Sequence, residues 1–279
     1  MKFGLFGINT GACADPETAA RVARRAEEAG FDSVWTGEHV VLPDPQAPPS
    51  PVPPETPMLD PAAALAFLAG HTRTIQLATG IIILPQRNPV VLAKELATVD
   101  VVSGGRLLFG LGAGYLRPEF EAIGASFEDR GARTDEAIEV IRTLWTQEQP
   151  RFDGRFWSFS GIQARPRPVR DPHPPILVGG HSPPAFRRAV ARGDGWYGFA
   201  LDLDAAERCV DGLEDAAGKV ERRPGGALEI SLTPALRLDP DTVRRYEDLG
   251  VERLVPIARG RNADEILAFV EETGKSLIR

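Results

Sequence analysis

Three short stretches of the chain hold residue types that could carry chemistry. The first is Trp35-Thr36-Gly37-Glu38-His39, where an imidazole follows a carboxylate at the end of an apolar run. An imidazole titrates near neutral pH, so His39 is the leading acid/base candidate, and Glu38 could raise its pKa or orient it. The plainer reading is a histidine bonded to neighbouring backbone, and position alone does not separate the two. His71 and His173 fall in turns or on the wrong side of their elements and read as surface residues. In an extended chain Glu38 and His39 point to opposite faces. No His-x-x-x-His pair or carboxylate cluster accompanies them, which argues against a catalytic metal.

The second stretch is Gly110-Leu111-Gly112-Ala113-Gly114-Tyr115. Its pattern is G-x-G-x-G, not the G-x-G-x-x-G of a dinucleotide fold, and it comes midway along the chain. It serves either as a tight turn or as bare backbone that a planar ring or phosphate can approach closely. The third stretch, Gly179-Gly180-His181 before Ser182-Pro183, is the stronger signal. Two bare amides at the start of a helix make an anion site without any net positive charge.

These residues all sit at the ends of strand-like runs. Apolar segments at 2–9, 31–40, 74–84, 106–112, 175–180, 194–200, 228–236 and 252–257 read as strands. Helix signals follow most of them. Asp15-Pro16-Glu17 opens a helix that Gly30 stops, Asn88-Pro89 opens one that ends at Ser103-Gly104-Gly105, and Thr134-Asp135-Glu136 begins another. Ser182-Pro183 opens the next. Helices at about 203–219, 240–249 and 263–274 complete the series, the last with an Asn262/Glu265 capping box. Strict alternation implies parallel strands with right-handed crossovers, and eight units over this length predict a single (β/α)8 TIM barrel spanning residues 1–279. In such a barrel, active residues lie at the C-terminal strand ends. That filter selects Asn9, the Glu38-His39 pair, Thr79-Gly80-Ile81, Gly112 to Tyr115, and Gly179 to His181.

Two segments exceed ordinary connections. Eight prolines fall between Pro43 and Pro57, so the loop at about 43–60 reads as a lid or pocket wall. Phe152, Phe156, Trp157 and Phe159 in the insertion at 151–170 suggest a hairpin that covers the barrel or joins a partner subunit.

Composition narrows the function class. The 279 residues include 39 acidic and 32 basic side chains, a net charge of −7, which disfavours nucleic-acid or anionic-membrane partners. Cys13 and Cys209 lack C-x-x-C spacing, the N-terminus lacks a signal-peptide pattern, and no apolar run reaches membrane-spanning length. A cytoplasmic location is expected.

Residues 27–43, 74–115, 130–145 and 174–196, taken in order, resemble the bacterial luciferase-like superfamily of flavin and deazaflavin oxidoreductases. The middle segment, TIQLATGIIILPQRNPVVLAKELATVDVVSGGRLLFGLGAGY, is the most specific. The resemblance is strongest to the branch that uses coenzyme F420. It implies a luciferase-like barrel with the cofactor ring over the C-terminal mouth, backed by a non-proline cis peptide at Gly80–Ile81. It further implies that Gly179-Gly180 matches the cofactor-phosphate loop and that Gly112 and Gly114 lie near the ring. With the strand-end filter, this makes Asn9, His39, Thr79, Gly80, Ile81, Gly112, Gly114, Gly179, Gly180 and His181 the expected cofactor-binding set.

His39, with Glu38 and Tyr115, forms the expected catalytic set. Relatives that oxidise sugar phosphates carry Glu where Tyr115 stands, which argues against that substrate and leaves Tyr115 to donate a hydrogen bond or stack on substrate. The leading expectation is hydride transfer between F420 and a small organic molecule. The alternatives are an FMN-dependent monooxygenase supplied by a separate reductase, and a catalytically silent flavin-binding barrel. A homodimer is expected by analogy.

Overall fold

The computed structural model describes residues 1–223 and 226–278. The first unit is β1 (Lys2–Phe6) and α1 (Pro16–Ala29), and Asp15 caps the helix by accepting the Thr18 N–H at 2.9 Å. Gly30, at φ 91°, ends α1 and leads into β2 (Ser33–Thr36). After the proline-rich loop come α2 (Pro61–Ala69), β3 (Gln76–Thr79), β4 (Ile82–Ile83) and α3 (Pro89–Ser103). Then follow β5 (Leu107–Gly112), the short α4 (Arg117–Ala122), α5 (Arg130–Thr146) and a hairpin of β6 (Phe152–Asp153) and β7 (Ser158–Phe159). The remainder is β8 (Ile176–Gly179), α6 (Pro183–Arg192), β9 (Gly195–Leu201), α7 (Leu203–Ala217), β10 (Glu229–Pro234), α8 (Pro240–Asp248), β11 (Arg253–Leu254) and α9 (Ala263–Thr273).

The strands lie in the order β3-β2-β1-β11-β10-β9-β8-β5, and β3 pairs with β5 to close the ring. Every neighbouring pair is parallel. This is the closed eight-stranded α/β barrel that the alternation predicts. β4 continues the third barrel strand. Ala78 pairs with Leu108 but Ile82 pairs with Leu111, so four residues advance on one strand against three on the other. The third strand therefore carries one extra residue, a bulge, at Gly80-Ile81.

Trp35, Ala78, Leu108, Leu177, Tyr197 and Val255 fill the barrel interior, with Trp35 and Tyr197 stacked at 4.8 Å. A larger apolar layer lies between sheet and helices. Toward the N-terminal strand ends, Arg253 is only 2% exposed; it pairs with Asp32 at 2.8 Å and with Glu229. A cavity of about 800 Å³ opens at this end, away from the candidate residues.

Several elements differ from expectation. α2 and α4 were not legible as helices, although Asp60 caps α2 by accepting the Ala63 N–H at 3.0 Å. α5 begins at Arg130, a turn before Thr134, whose hydroxyl bonds back to the Arg130 carbonyl at 2.7 Å inside the helix. Ser182 makes no side-chain cap on α6. His173 is buried, with Nδ1 2.8 Å from the Pro174 carbonyl and Nε2 within reach of Arg142, and is not a surface residue. The 151–170 insertion does form a hairpin. It lies along the outer helices: Glu136 of α5 accepts the N–H groups of Arg155, Phe156 and Trp157, and Asp100 of α3 accepts those of Val169 and Arg170. It therefore does not roof the barrel mouth.

Glu27 of α1 sets the entry to the third strand by accepting the N–H groups of Arg73, Thr74 and Ile75. Burial pushes its carboxyl up, but these backbone donors hold it at about 2. A carboxylate depressed in the folded state stabilises the fold above its unfolded pKa and loses that contribution as pH falls through its folded value. Glu27→Gln is expected to cost about 2 kcal/mol at pH 7, a gap that closes between about pH 4.5 and pH 2. Urea denaturation of both proteins across that range measures it, and a pH-independent gap contradicts it.

Candidate active site

The C-terminal mouth is organised around the bulge. The Gly80–Ile81 peptide is cis, as the resemblance implies. Ile81 lies across the neighbouring strands. A Cβ at Gly112 would stand 2.8 Å from Ile81 Cδ1, and one at Gly179 would stand 3.0 Å from Ile81 Cγ2. A Cβ at Gly110 would fall 1.9 Å from the Thr79 carbonyl oxygen, and one at Gly80 would fall 2.9 Å from the Trp35 ring. The glycine spacing in β5 thus answers to the bulge itself. Gly114, at φ 75°, turns the chain out of β5 where a Cβ would meet Ile83 and Phe120.

Two expected cofactor-binding side chains are committed to backbone. Thr79 Oγ1 donates to the Gly110 carbonyl at 2.6 Å and accepts the Gly110 N–H at 2.9 Å. Asn9 is fully buried; it donates to the Gly37 and Leu59 carbonyls and accepts the Gly37 N–H. Both hold the mouth in shape. They have little left to offer a ligand.

The expected Glu38–His39 contact is replaced by two separate ones. The Glu38 carboxylate accepts the Ile83 N–H and pairs with Arg87, which also reaches Asp60 at 2.7 Å. Burial pushes the Glu38 carboxyl up even with Arg87 beside it. The carboxylate that meets His39 is Glu119 of α4, a residue no sequence motif singled out. Its Oε2 stands 3.2 Å from His39 Nδ1, and its Oε1 accepts the Val40 N–H at 2.6 Å. The Tyr115 hydroxyl stands 3.5 Å from His39 Nε2, with the two rings edge to face at 6.0 Å. Burial, and secondarily Glu119, push the Tyr115 phenol up, so it stays protonated. His39 and Tyr115 are thus brought together, and Glu38 faces elsewhere.

At the other side of the mouth, Gly180 (φ 125°) approaches α6 so closely that a Cβ there would lie 2.9 Å from Ala185 Cβ. Trp196 Nε1 donates to the Gly180 carbonyl at 2.9 Å. α6 opens on Pro183-Pro184, which carry no N–H, so the amide donors come from the loop and from Ala185 onward. His181 Nε2 accepts the Phe199 N–H at 3.0 Å, and burial lowers its pKa, so the ring is neutral. Phe199 packs on Phe6 with ring centres 5.0 Å apart, and Ile257 pairs with Phe6 at the end of β1. An apolar wall, a ridge at Ile81 and an amide loop on one rim suit a planar ring with an anionic tail. Among the described residues, no group of His, Cys, Asp and Glu side chains is arranged to hold a metal.

A family model for luciferase-like monooxygenases matches residues 1–263. An uncharacterized protein of Mycobacterium tuberculosis is 32% identical over 271 residues, covering 93% of this chain and 94% of its own. A monooxygenase from Streptomyces bottropensis superposes with a TM-score of 0.81 at 26% identity, covering 100% of this chain and 99% of its own. An F420-dependent secondary alcohol dehydrogenase, solved with an F420–acetone adduct, shares the fold at a TM-score of 0.79 and 18% identity, covering 99% of this chain and 98% of its own.

The Glu38–Arg87 pair generates a prediction about the scaffold. Removing one partner of a buried pair leaves an uncompensated charge. Arg87→Met is expected to lower stability by about 3 kcal/mol, and Glu38→Gln added to it recovers part of the loss. Chemical denaturation of the two variants checks this, and additive losses in the double variant contradict it.

Proposed function

The chain belongs to the luciferase-like monooxygenase family, and on that premise we propose that it is an F420-dependent oxidoreductase acting on a small, uncharged organic substrate. The observation that carries this reading is the His39 imidazole at the barrel mouth, with its Nε2 facing the Tyr115 hydroxyl. When bound, the deazaflavin supplies a ring carbon that accepts or releases a hydride. Interconverting an alcohol and a carbonyl also moves a proton at the substrate oxygen, and His39 with Tyr115 takes or returns that proton.

The remaining candidates bind and orient. Ile81, raised on Gly112 and Gly179, backs the ring. The amides around Gly179-Gly180-His181, with the Ser182 hydroxyl, hold the phosphate. Phe6, Phe199 and Ile257 exclude water from one wall.

A second reading is favoured by the Streptomyces monooxygenase, which is similar along the whole chain. On that reading the same mouth binds reduced FMN delivered by a separate reductase, and the substrate is oxygenated. Titration of the protein with F420 and with FMN, followed by tryptophan quenching, separates the two. Binding of F420 alone is expected; FMN alone supports the monooxygenase, and binding of neither contradicts both readings. His39→Ala is expected to keep cofactor affinity within about tenfold and to lower turnover by about 10²–10⁴-fold. Steady-state kinetics measures this, and unchanged turnover returns His39 to a structural role.

The enzyme acts as a homodimer on this reading. Val91 and Val102 are exposed three turns apart on α3, beside exposed Val101, and Phe67 is exposed on the adjacent α2. Such a patch is best covered by a second copy. Val102→Asp is expected to shift the protein from dimer to monomer in sedimentation velocity. A monomeric wild type contradicts it.

A further inference from the structure

His39 can work at the mouth only if the correct ring nitrogen is free. We propose that Glu119 is the positioning residue that fixes the His39 tautomer, holding the proton on Nδ1 and leaving Nε2 as the acceptor that faces Tyr115. This rests on the reading of His39 as the proton-handling group and assigns the residue that makes it so.

The geometry is specific. Glu119 is 1% exposed, and its two oxygens are divided between two donors. Oε1 accepts the Val40 N–H at 2.6 Å, which fixes the carboxylate against the backbone just after His39. Oε2 is then held 3.2 Å from Nδ1. A carboxylate oxygen accepts hydrogen bonds, as Oε1 does from Val40, so the nitrogen facing Oε2 carries the hydrogen. The opposite tautomer would set the Nδ1 lone pair against that carboxylate. On the far side of the ring, the phenol of Tyr115 is kept protonated and supplies an O–H toward Nε2. Carboxylate, imidazole and phenol therefore form one directional array, with the buried Glu119 at its inner end and the half-exposed Tyr115 at its outer end.

The sequence offers a reason for this placement. Tyr115 occupies the position after the β5 glycines, and Glu119 follows one helical turn later on α4. The buried acid meets Nδ1 while Tyr115 meets Nε2, so Glu119 holds the ring from the nitrogen opposite Tyr115.

The test reads the tautomer directly. In ¹⁵N-histidine-labelled protein at pH 8, His39 is expected to show a protonated Nδ1 and an unprotonated Nε2. In Glu119→Gln the amide oxygen keeps the Val40 N–H while its NH₂ faces Nδ1, so the proton is expected to move to Nε2. Turnover is expected to fall about 10²–10⁴-fold, with KM and cofactor Kd within about threefold. Tyr115→Phe is expected to keep the wild-type tautomer.

A wild-type ring protonated on Nε2, a Glu119→Gln variant that keeps the wild-type tautomer, or one that keeps wild-type turnover each overturns the proposal. The tautomer is read without substrate. A wild type that binds neither cofactor therefore removes the functional reading while the ring assignment is still decided by its shifts.

Discussion

The mouth of this barrel depends on one steric fact: Ile81 occupies the space that a side chain at Gly112 or Gly179 would need. The extra residue in the third strand pushes Ile81 over β5 and β8, and the adjoining strands yield by carrying no Cβ where it lands. Gly110 yields to the Thr79 carbonyl in the same way, and Thr79 then locks the arrangement by bonding both polar groups of Gly110. Three glycines on two strands, Gly110 and Gly112 on β5 and Gly179 on β8, thus make room for the bulge. A packed interior transmits such a demand with little slack, because neighbouring atoms have nowhere to retreat.

Around this ridge the mouth is fixed by side chains bonded to backbone across loops more than by strand pairing. β2 ends at Thr36, so Glu38 and His39 lie beyond the ladder and are free to turn to different partners. Glu38 ties the exit of β2 to β4 through the Ile83 N–H, while Asn9 ties the exit of β1 to Gly37 and to Leu59 at the far end of the proline-rich loop. Glu119 ties α4 to Val40. Two buried carboxylates thus flank the same corner with different partners. Glu38 faces a guanidinium that keeps its charge at any working pH, which makes a strut. Glu119 faces an imidazole, which can both donate and accept a hydrogen bond where a guanidinium only donates.

Much of this was legible in the sequence, and the unread parts have physical reasons. The strand–helix alternation predicts the closed barrel because period and caps are local signals, as Asp15, Asn88 and Asn262 show by capping α1, α3 and α9. α2 escaped because PAAALAFLA is apolar on every side and gives no amphipathic period. Thr134 misled because a threonine can bond backward inside a helix as readily as it caps one. The pairing of His39 with Glu119 spans eighty residues and depends on where a six-residue helix lands after a turn, which no local spacing encodes. Glu38 was adjacent in sequence and therefore conspicuous, yet adjacency in an extended chain points two side chains apart.

The charge pattern at the mouth bears on what can enter it. The arginines nearest the site in sequence are engaged: Arg87 with Glu38 and Asp60, Arg117 with Glu128, and Arg130 with the Gly114 and Phe127 carbonyls. His181 is neutral, and two prolines at the start of α6 remove donors that a helix end would otherwise present. An anionic group at the Gly179-Gly180 rim would therefore meet dipoles and a hydroxyl, which on the proposed reading would suffice for a phosphate that a large planar ring helps to anchor. A small anionic substrate has no such ring to add binding energy, and Arg87, Arg117 and Arg130 are already engaged. On the proposed reading, the features that would hold a phosphorylated cofactor would favour an uncharged substrate, and the apolar wall of Phe6, Phe199 and Ile257 would reward one that is also hydrophobic.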